Sequence, residues 1–232
     1  MGRVMSTVNE HEPRRRYTSA TRSEGARRTR QAIVDAATAM FTERGYASTS
    51  LADIASAAGV ARPTVFAVFG SKGALLKQAL DQALAGDDAP VPVRERPWFQ
   101  PVWNAATPTA VLDAYAEVCL VIARRAAPLF EAVRRATDDA PEAAQLWMAL
   151  QANRRAGAKM VVAHALRLGP LTAELNPDTA TDILWIFNDP AHYAALVSQR
   201  GWTEDAFRRW LAAMMRNALL PTALPPETDA AE

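Results

Sequence analysis

Apolar residues recur at helical spacing along most of the chain. Between Glu24 and Arg44 the positions Ile33, Ala37, Met40 and Phe41 share one helix face, and Gly45 ends the pattern. A short second helix opens at Ser50, which caps it with Asp53 three residues on, a capping box with aspartate in place of glutamate. Leu51, Ile54, Ala55 and Ala58 form its apolar side, and Gly59 breaks it. A third helix is predicted from Arg62 to about Phe69, where Pro63 is tolerated because a first-turn N–H has no intrahelical partner. A fourth follows the cap Ser71, with Leu75, Leu76, Ala79, Leu80 and Leu84 as its stripe.

Residues 86–106 change character. Gly86, Pro90, Pro92, Pro97 and Pro101 punctuate a stretch that also carries Trp98, Phe99 and Trp103. This is longer than an ordinary connection, so it reads as a Pro-rich linker or a functional flap whose aromatics pack on something. Helical spacing then resumes. Val111, Tyr115, Val118 and Ile122 line one helix, with Leu112 and Cys119 beside them, and Pro128 is taken to open a separate short helix through Arg135. A long helix is predicted over about Glu142 to Leu168, with the seam Leu146, Leu150, Asn153, Gly157, Met160, His164 and Leu168. Asn176 or Asp178 opens the next, cored by Ile183, Leu184, Trp185, Ile186 and Phe187 and interrupted at Asp189 and Pro190. A short helix continues through Tyr193, Leu196 and Val197. Thr203 caps the last, with Phe207, Trp210, Leu211, Met214 and Ala218 on its buried side. No strand pattern and no internal repeat is present. The expected fold is all-α: a disordered basic arm over 1–23, a helix-turn-helix head over 24–85, the 86–106 segment, a helical domain over 107–220 and a disordered tail over 221–232.

Half of the 232 residues are hydrophobic, but none of the apolar runs reaches the length of about 18 residues that spans a bilayer. The N-terminus lacks an apolar secretion segment. A soluble, cytoplasmic chain without a membrane partner is expected, and the single cysteine, Cys119, rules out an intrachain disulfide. His11, His164 and His192 stand singly, at no metal-ligand spacing. There is no paired acid/base cluster, phosphate loop or nucleophile motif, so neither an enzyme nor a cofactor is expected. The net charge of +1 conceals an asymmetry: Arg14, Arg15, Arg16, Arg22, Arg27, Arg28 and Arg30 face Glu24 alone. Such a basic segment suits a nucleic-acid backbone, or is a solvated tail.

Two short helices joined by a tight turn at Gly59 match the helix-turn-helix layout, which a generic helical hairpin would share. The residues are more specific. The run Ser50-Leu51-Ala52-Asp53-Ile54-Ala55-Ser56-Ala57-Ala58-Gly59-Val60 resembles the second helix and turn of the TetR family of transcriptional regulators. The run Ala61-Arg62-Pro63-Thr64-Val65-Phe66-Ala67-Val68-Phe69-Gly70-Ser71-Lys72 resembles its recognition helix and the entry to the next helix. With the Phe41-x-x-x-Gly45-Tyr46 ending of the first helix, the likeness covers about residues 27–85.

The resemblance implies a three-helix DNA-binding domain, a helical ligand-binding domain, and a symmetric dimer on a palindromic double-stranded operator. Thr49 and Ser50 would hold a phosphate; Arg62, Pro63 and Thr64 would face base edges or nearby backbone; Lys72 would neutralise a phosphate. Phe66 stands where the family usually has tyrosine, and Ala67 and Val68 where it often has aromatic or histidine side chains. The reading helix is thus poor in polar groups, and much of the affinity is expected from the arginine arm. Candidate lining residues for a small-molecule effector of unknown identity are Tyr115, Cys119, Phe130, Trp147, Asn153, Met160 and His164. Asn153 and His164 are polar positions in an apolar seam, to be satisfied by ligand, water or protein. The run Ile183–Phe187 is apolar all round and, with the last helix, suits a subunit interface of four helices, or burial within one protomer. The function expected is a ligand-released regulator, usually a repressor in this family. The competing class is a helical carrier or enzyme that binds no DNA.

Overall fold

The computed structural model describes residues 13–173 and 175–221, with side chains from residue 22 onward. Among these the regular elements are all helical: α1 (Pro13–Arg44), α2 (Leu51–Ala57), α3 (Arg62–Phe69), α4 (Lys72–Ala85), α5 (Gln100–Trp103), α6 (Pro108–Arg135), α7 (Pro141–Leu168), α8 (Pro177–Phe187), α9 (Pro190–Tyr193) and α10 (Glu204–Leu219). Two 3₁₀ turns precede α5, and a π-helical turn over Ala194–Gln199 follows α9.

The caps legible in the sequence form. The Ser50 hydroxyl accepts from the Asp53 N–H, and the Asp53 carboxylate accepts from the Ser50 N–H, closing the capping box. Ser71, Asn176 and Thr203 each accept from the backbone N–H three residues on. Two helices differ from expectation. α1 starts at Pro13 rather than near Glu24, with a proline at its first turn, so residues 13–23 of the expected disordered arm are helical; residues 1–12 and 222–232, also expected to be disordered, lie outside the described residues. Pro128 opens no new helix but lies inside α6. Its ring is on the exposed side, so the Arg124 carbonyl left without an N–H donor faces water.

α6 has 28 residues, about 42 Å at the usual rise, and this length organises the molecule. Its N-terminal part packs with α5, α7, α9 and α10, and α8, lying on α7 and α10, completes the shared core of Val111, Leu112, Ala158, Val161, Leu184, Leu211 and Met215. Its C-terminal part, Ala126, Leu129, Phe130 and Val133, joins the core of the head: Ile33, Phe41, Ile54, Val65, Leu75, Leu76 and Leu80. The head is therefore seated on α6 and on the start of α7.

The 86–106 segment is a packed strap. Phe99 and Val102 are buried against α6, and Phe99 stacks with Trp103 at 5.0 Å between ring centres. Arg96 is buried and clasps the strap to the end of α4, donating to both Asp87 oxygens (2.7 and 2.8 Å) and to the Ala89 carbonyl. Gly86 ends α4 in left-handed backbone (φ 94°), and the space a Cβ would need there is taken by the Arg125 guanidinium, which lies 5.0 Å over the Trp98 ring.

Candidate nucleic-acid interface

The head presents α3 to solvent. The chain bends through 109° between α2 and α3, in the range of helix-turn-helix pairs. The turn needs Gly59 in left-handed backbone (φ 67°), and the Val60 N–H donates back to Ala55 O at 2.9 Å. Val65 alone on α3 is fully buried, wedged into the head core. Arg62, Pro63, Phe66, Ala67 and Val68 are exposed and Thr64 half-exposed. α3 carries no carboxylate, so nothing on it repels a phosphate-lined groove.

Three of the phosphate contacts that the resemblance implied are otherwise engaged. Thr49 is buried, and its hydroxyl donates within the head, to Gly45 O at 2.8 Å and Met40 O at 3.3 Å. Ser50 is exposed, but its hydroxyl donates to Asp53 Oδ2 at 2.6 Å. The Asp53 carboxyl is held below its usual range by those Ser50 bonds, so an anion already sits at the start of α2 where a phosphate would go. Lys72 Nζ donates to Tyr46 O (2.9 Å) and Thr49 O (3.1 Å) and lies 4.0 Å over the Tyr46 ring. Two of its three N–H groups therefore close the loop between α1 and α2. Arg62, Pro63, Thr64 and Phe66 remain accessible on α3, and so do Ala67 and Val68, noted in the sequence as departures only.

The sequence matches the model of bacterial regulatory proteins of the tetR family over residues 33–79, which includes all of α2 and α3. It is 30% identical over 177 residues to the HTH-type transcriptional regulator TtgR of Pseudomonas putida, a span of 72% of this chain and 79% of that protein. The chain belongs to the tetR family. This regulator also shares its fold with solved members. NalD, the secondary repressor of the MexAB-OprM multidrug efflux pump in Pseudomonas aeruginosa, superposes with a TM-score of 0.64 at 21% identity, covering 86% of this chain and 100% of NalD. A Saccharomonospora viridis transcriptional regulator solved in complex with choline gives the same TM-score at 20% identity, over 86% of this chain and 100% of that one.

The candidate effector residues of the tetR-family chain are not brought together. Tyr115 and Cys119 are buried in the core around the first half of α6. Phe130 and Trp147 stack edge-to-face on the head side, because the end of α6 and the start of α7 belong to the other core. Asn153 is exposed and Met160 is 40% exposed. The predicted seam shares Leu150 and His164 with the buried face of α7, but the rest of that face is Ala143, Ala158, Val161, Val162 and Ala165, small side chains that let α7 lie close to its neighbours.

His164 is buried near the strap. Trp103 meets it edge-on at 5.3 Å, Arg167 lies 2.9 Å from its Nδ1, and its buried Nε2 makes no well-formed hydrogen bond, with only the Val102 backbone near it. Burial and the Arg167 charge hold the imidazole below its usual range, favouring the neutral form.

The polar centre that sequence reasoning missed is Arg154. Its side chain is 9% exposed, ion-paired with Asp189 at 3.0 Å, and donates to Asn188 Oδ1 (3.1 Å) and Trp185 O (2.8 Å). Asn188 in turn donates to the Tyr115 hydroxyl at 2.9 Å, so α6, α7 and the end of α8 share one network. Cys119 lies beside it, and burial pushes its thiol up to about 12. A neutral, buried thiol is not a reactive sensor.

Proposed function

We propose that this tetR-family regulator is a homodimer that binds a palindromic operator through α3 and is released from it by a small-molecule effector. The carrying observation is the free face of α3: five of its eight side chains are exposed, and its own chain buries it fully only at Val65 and partly at Thr64 and Phe69. Such a helix fits the major groove, which admits one α-helix.

The dimer reading is supported by α8 and α10, which pack on each other yet leave Ile186 54% exposed, while Trp202 is 38% exposed against Trp210. Two copies of that pair would form a four-helix interface about a two-fold axis and set the two reading helices about one turn of DNA apart. The effector reading is supported by His164, a buried polar side chain next to the strap whose Nε2 has at most a loose contact with the Val102 backbone, and by a regulator of the same fold binding choline. An effector with different affinities for two spacings of the heads would shift the population towards the one that fits DNA poorly. We place the protein in the cytoplasm and assign it no enzymatic role.

A gel shift with DNA flanking the protein's own gene, at two salt concentrations, tests this. A discrete, salt-weakened complex of two protomers per site is expected. No complex at either salt would favour a helical carrier.

A further inference from the structure

We infer that α3 reads thymine methyl groups, with Phe66 as the side chain that detects them. This rests on the reading of α3 as the groove-entering helix and adds the class of base sequence it selects.

The outward strip of α3 is apolar. Pro63 and Ala67 lie one helical turn apart at its centre, and Phe66 flanks them with 63% of its surface in water. None of these three side chains can donate or accept a hydrogen bond. In the major groove the bases offer hydrogen-bonding edges and one apolar feature, the C5-methyl of thymine. Arg62 and Thr64, at the start of the helix, can hydrogen-bond base edges or backbone; the strip beyond them, a bare aromatic ring with no amide or carboxylate, can distinguish bases mainly by that methyl.

Two further observations favour DNA over an apolar protein partner. Ala67 projects only a methyl group, so the helix can approach the base edges closely. Arg62, exposed in the first turn, places a cation beside the strip and no acid accompanies it, which complements flanking phosphates.

The test uses the full chain. Bound duplexes are selected from a random pool, and the best site is remade with deoxyuridine in place of thymine at single positions of each half-site. Each step removes one methyl and nothing else. Affinity, followed by fluorescence anisotropy at fixed salt, should fall about fourfold for each contacted methyl, the factor that follows from burying one such group. In Phe66→Ala, which replaces an exposed side chain and should leave the thermal melt unchanged, the thymine and deoxyuridine sites should bind equally. A selected site that tolerates deoxyuridine throughout overturns the inference while leaving operator binding intact. A methyl effect undiminished in Phe66→Ala overturns the role of Phe66. Failure to select any site removes the DNA-reading function and this inference with it.

Discussion

The Tyr46 hydroxyl donates to Glu142 Oε1 at 2.7 Å, joining the loop after α1 to the first turn of α7. A cleft of about 210 Å³ adjoins this contact, lined by Lys72 and the α6–α7 turn. Gly73 packs so tightly against Glu142 that an added Cβ would lie 2.8 Å from its Cγ. The head and the helices that follow it are thus linked by a polar contact as well as by the shared core along α6.

That contact makes the seam acid-sensitive. The hydrogen bond from Tyr46 holds the Glu142 carboxyl below its usual range, and burial together with Glu142 holds the Tyr46 phenol above its own. A depressed carboxyl favours folding fully above its unfolded value, about 4.3, and loses that effect as the pH falls through the lower folded value. Urea midpoints should decline on acidification below about pH 5. Tyr46→Phe should cost about 1 kcal/mol at neutral pH and flatten that decline. An unchanged acid slope in Tyr46→Phe would show that other carboxylates govern it.

Thr49→Val separates a structural from a DNA-contacting threonine. Loss of the two internal hydrogen bonds should lower stability by about 1–3 kcal/mol. The slope of log affinity against log salt should not move, because no phosphate contact is removed. A reduced slope with unchanged stability would return Thr49 to the interface.

Arg154 should be the most sensitive polar residue among α6 to α10. Arg154→Met leaves Asn188 and Asp189 without their cation, and a loss of about 3 kcal/mol is expected, the lower end for a broken buried pair since Asp189 is partly exposed. Denaturant titration of the variant measures it. A loss under about 0.5 kcal/mol, the scale of an ordinary surface substitution, would contradict the network's role.

Cys119 should resist alkylation. In the folded protein at about pH 8, iodoacetamide should label it far more slowly than an exposed thiol of the ordinary value near 8.5. In denaturant the label should enter at the ordinary rate. Fast labelling of the native protein would mean that the α6 core opens locally.

Ile186→Lys tests the proposed subunit interface. The side chain is exposed in the protomer, so the isolated fold should tolerate the charge. Light scattering should show a shift from dimer to monomer, with operator affinity falling alongside. A dimer of unchanged mass would place the interface elsewhere.

Local chemistry was the legible part of the sequence. Ser50 with Asp53, Ser71, Asn176, Thr203 and the left-handed Gly59 each act within a few residues, so chain order alone identifies them. The full buried face of α7 was not legible in the same way. Size and apolarity rank Met160 above Ala158, yet close helix approach selects the alanine, and Arg154 enters the interior because partners at the end of α8 await it. The internal partners of Thr49 and Lys72 were not legible for a related reason: the carbonyls they serve belong to a loop whose path a linear reading does not supply. The run Ala158, Val161, Val162, Ala165 was the available signal for the true face of α7.

The corner at Gly86 constrains substitution at that position. A side chain there would evict the Arg125 guanidinium from Trp98 and force an L-residue into left-handed backbone. Replacing the glycine therefore does two things at once: it swings the end of the Arg125 side chain off the indole, and it strains the backbone that terminates α4.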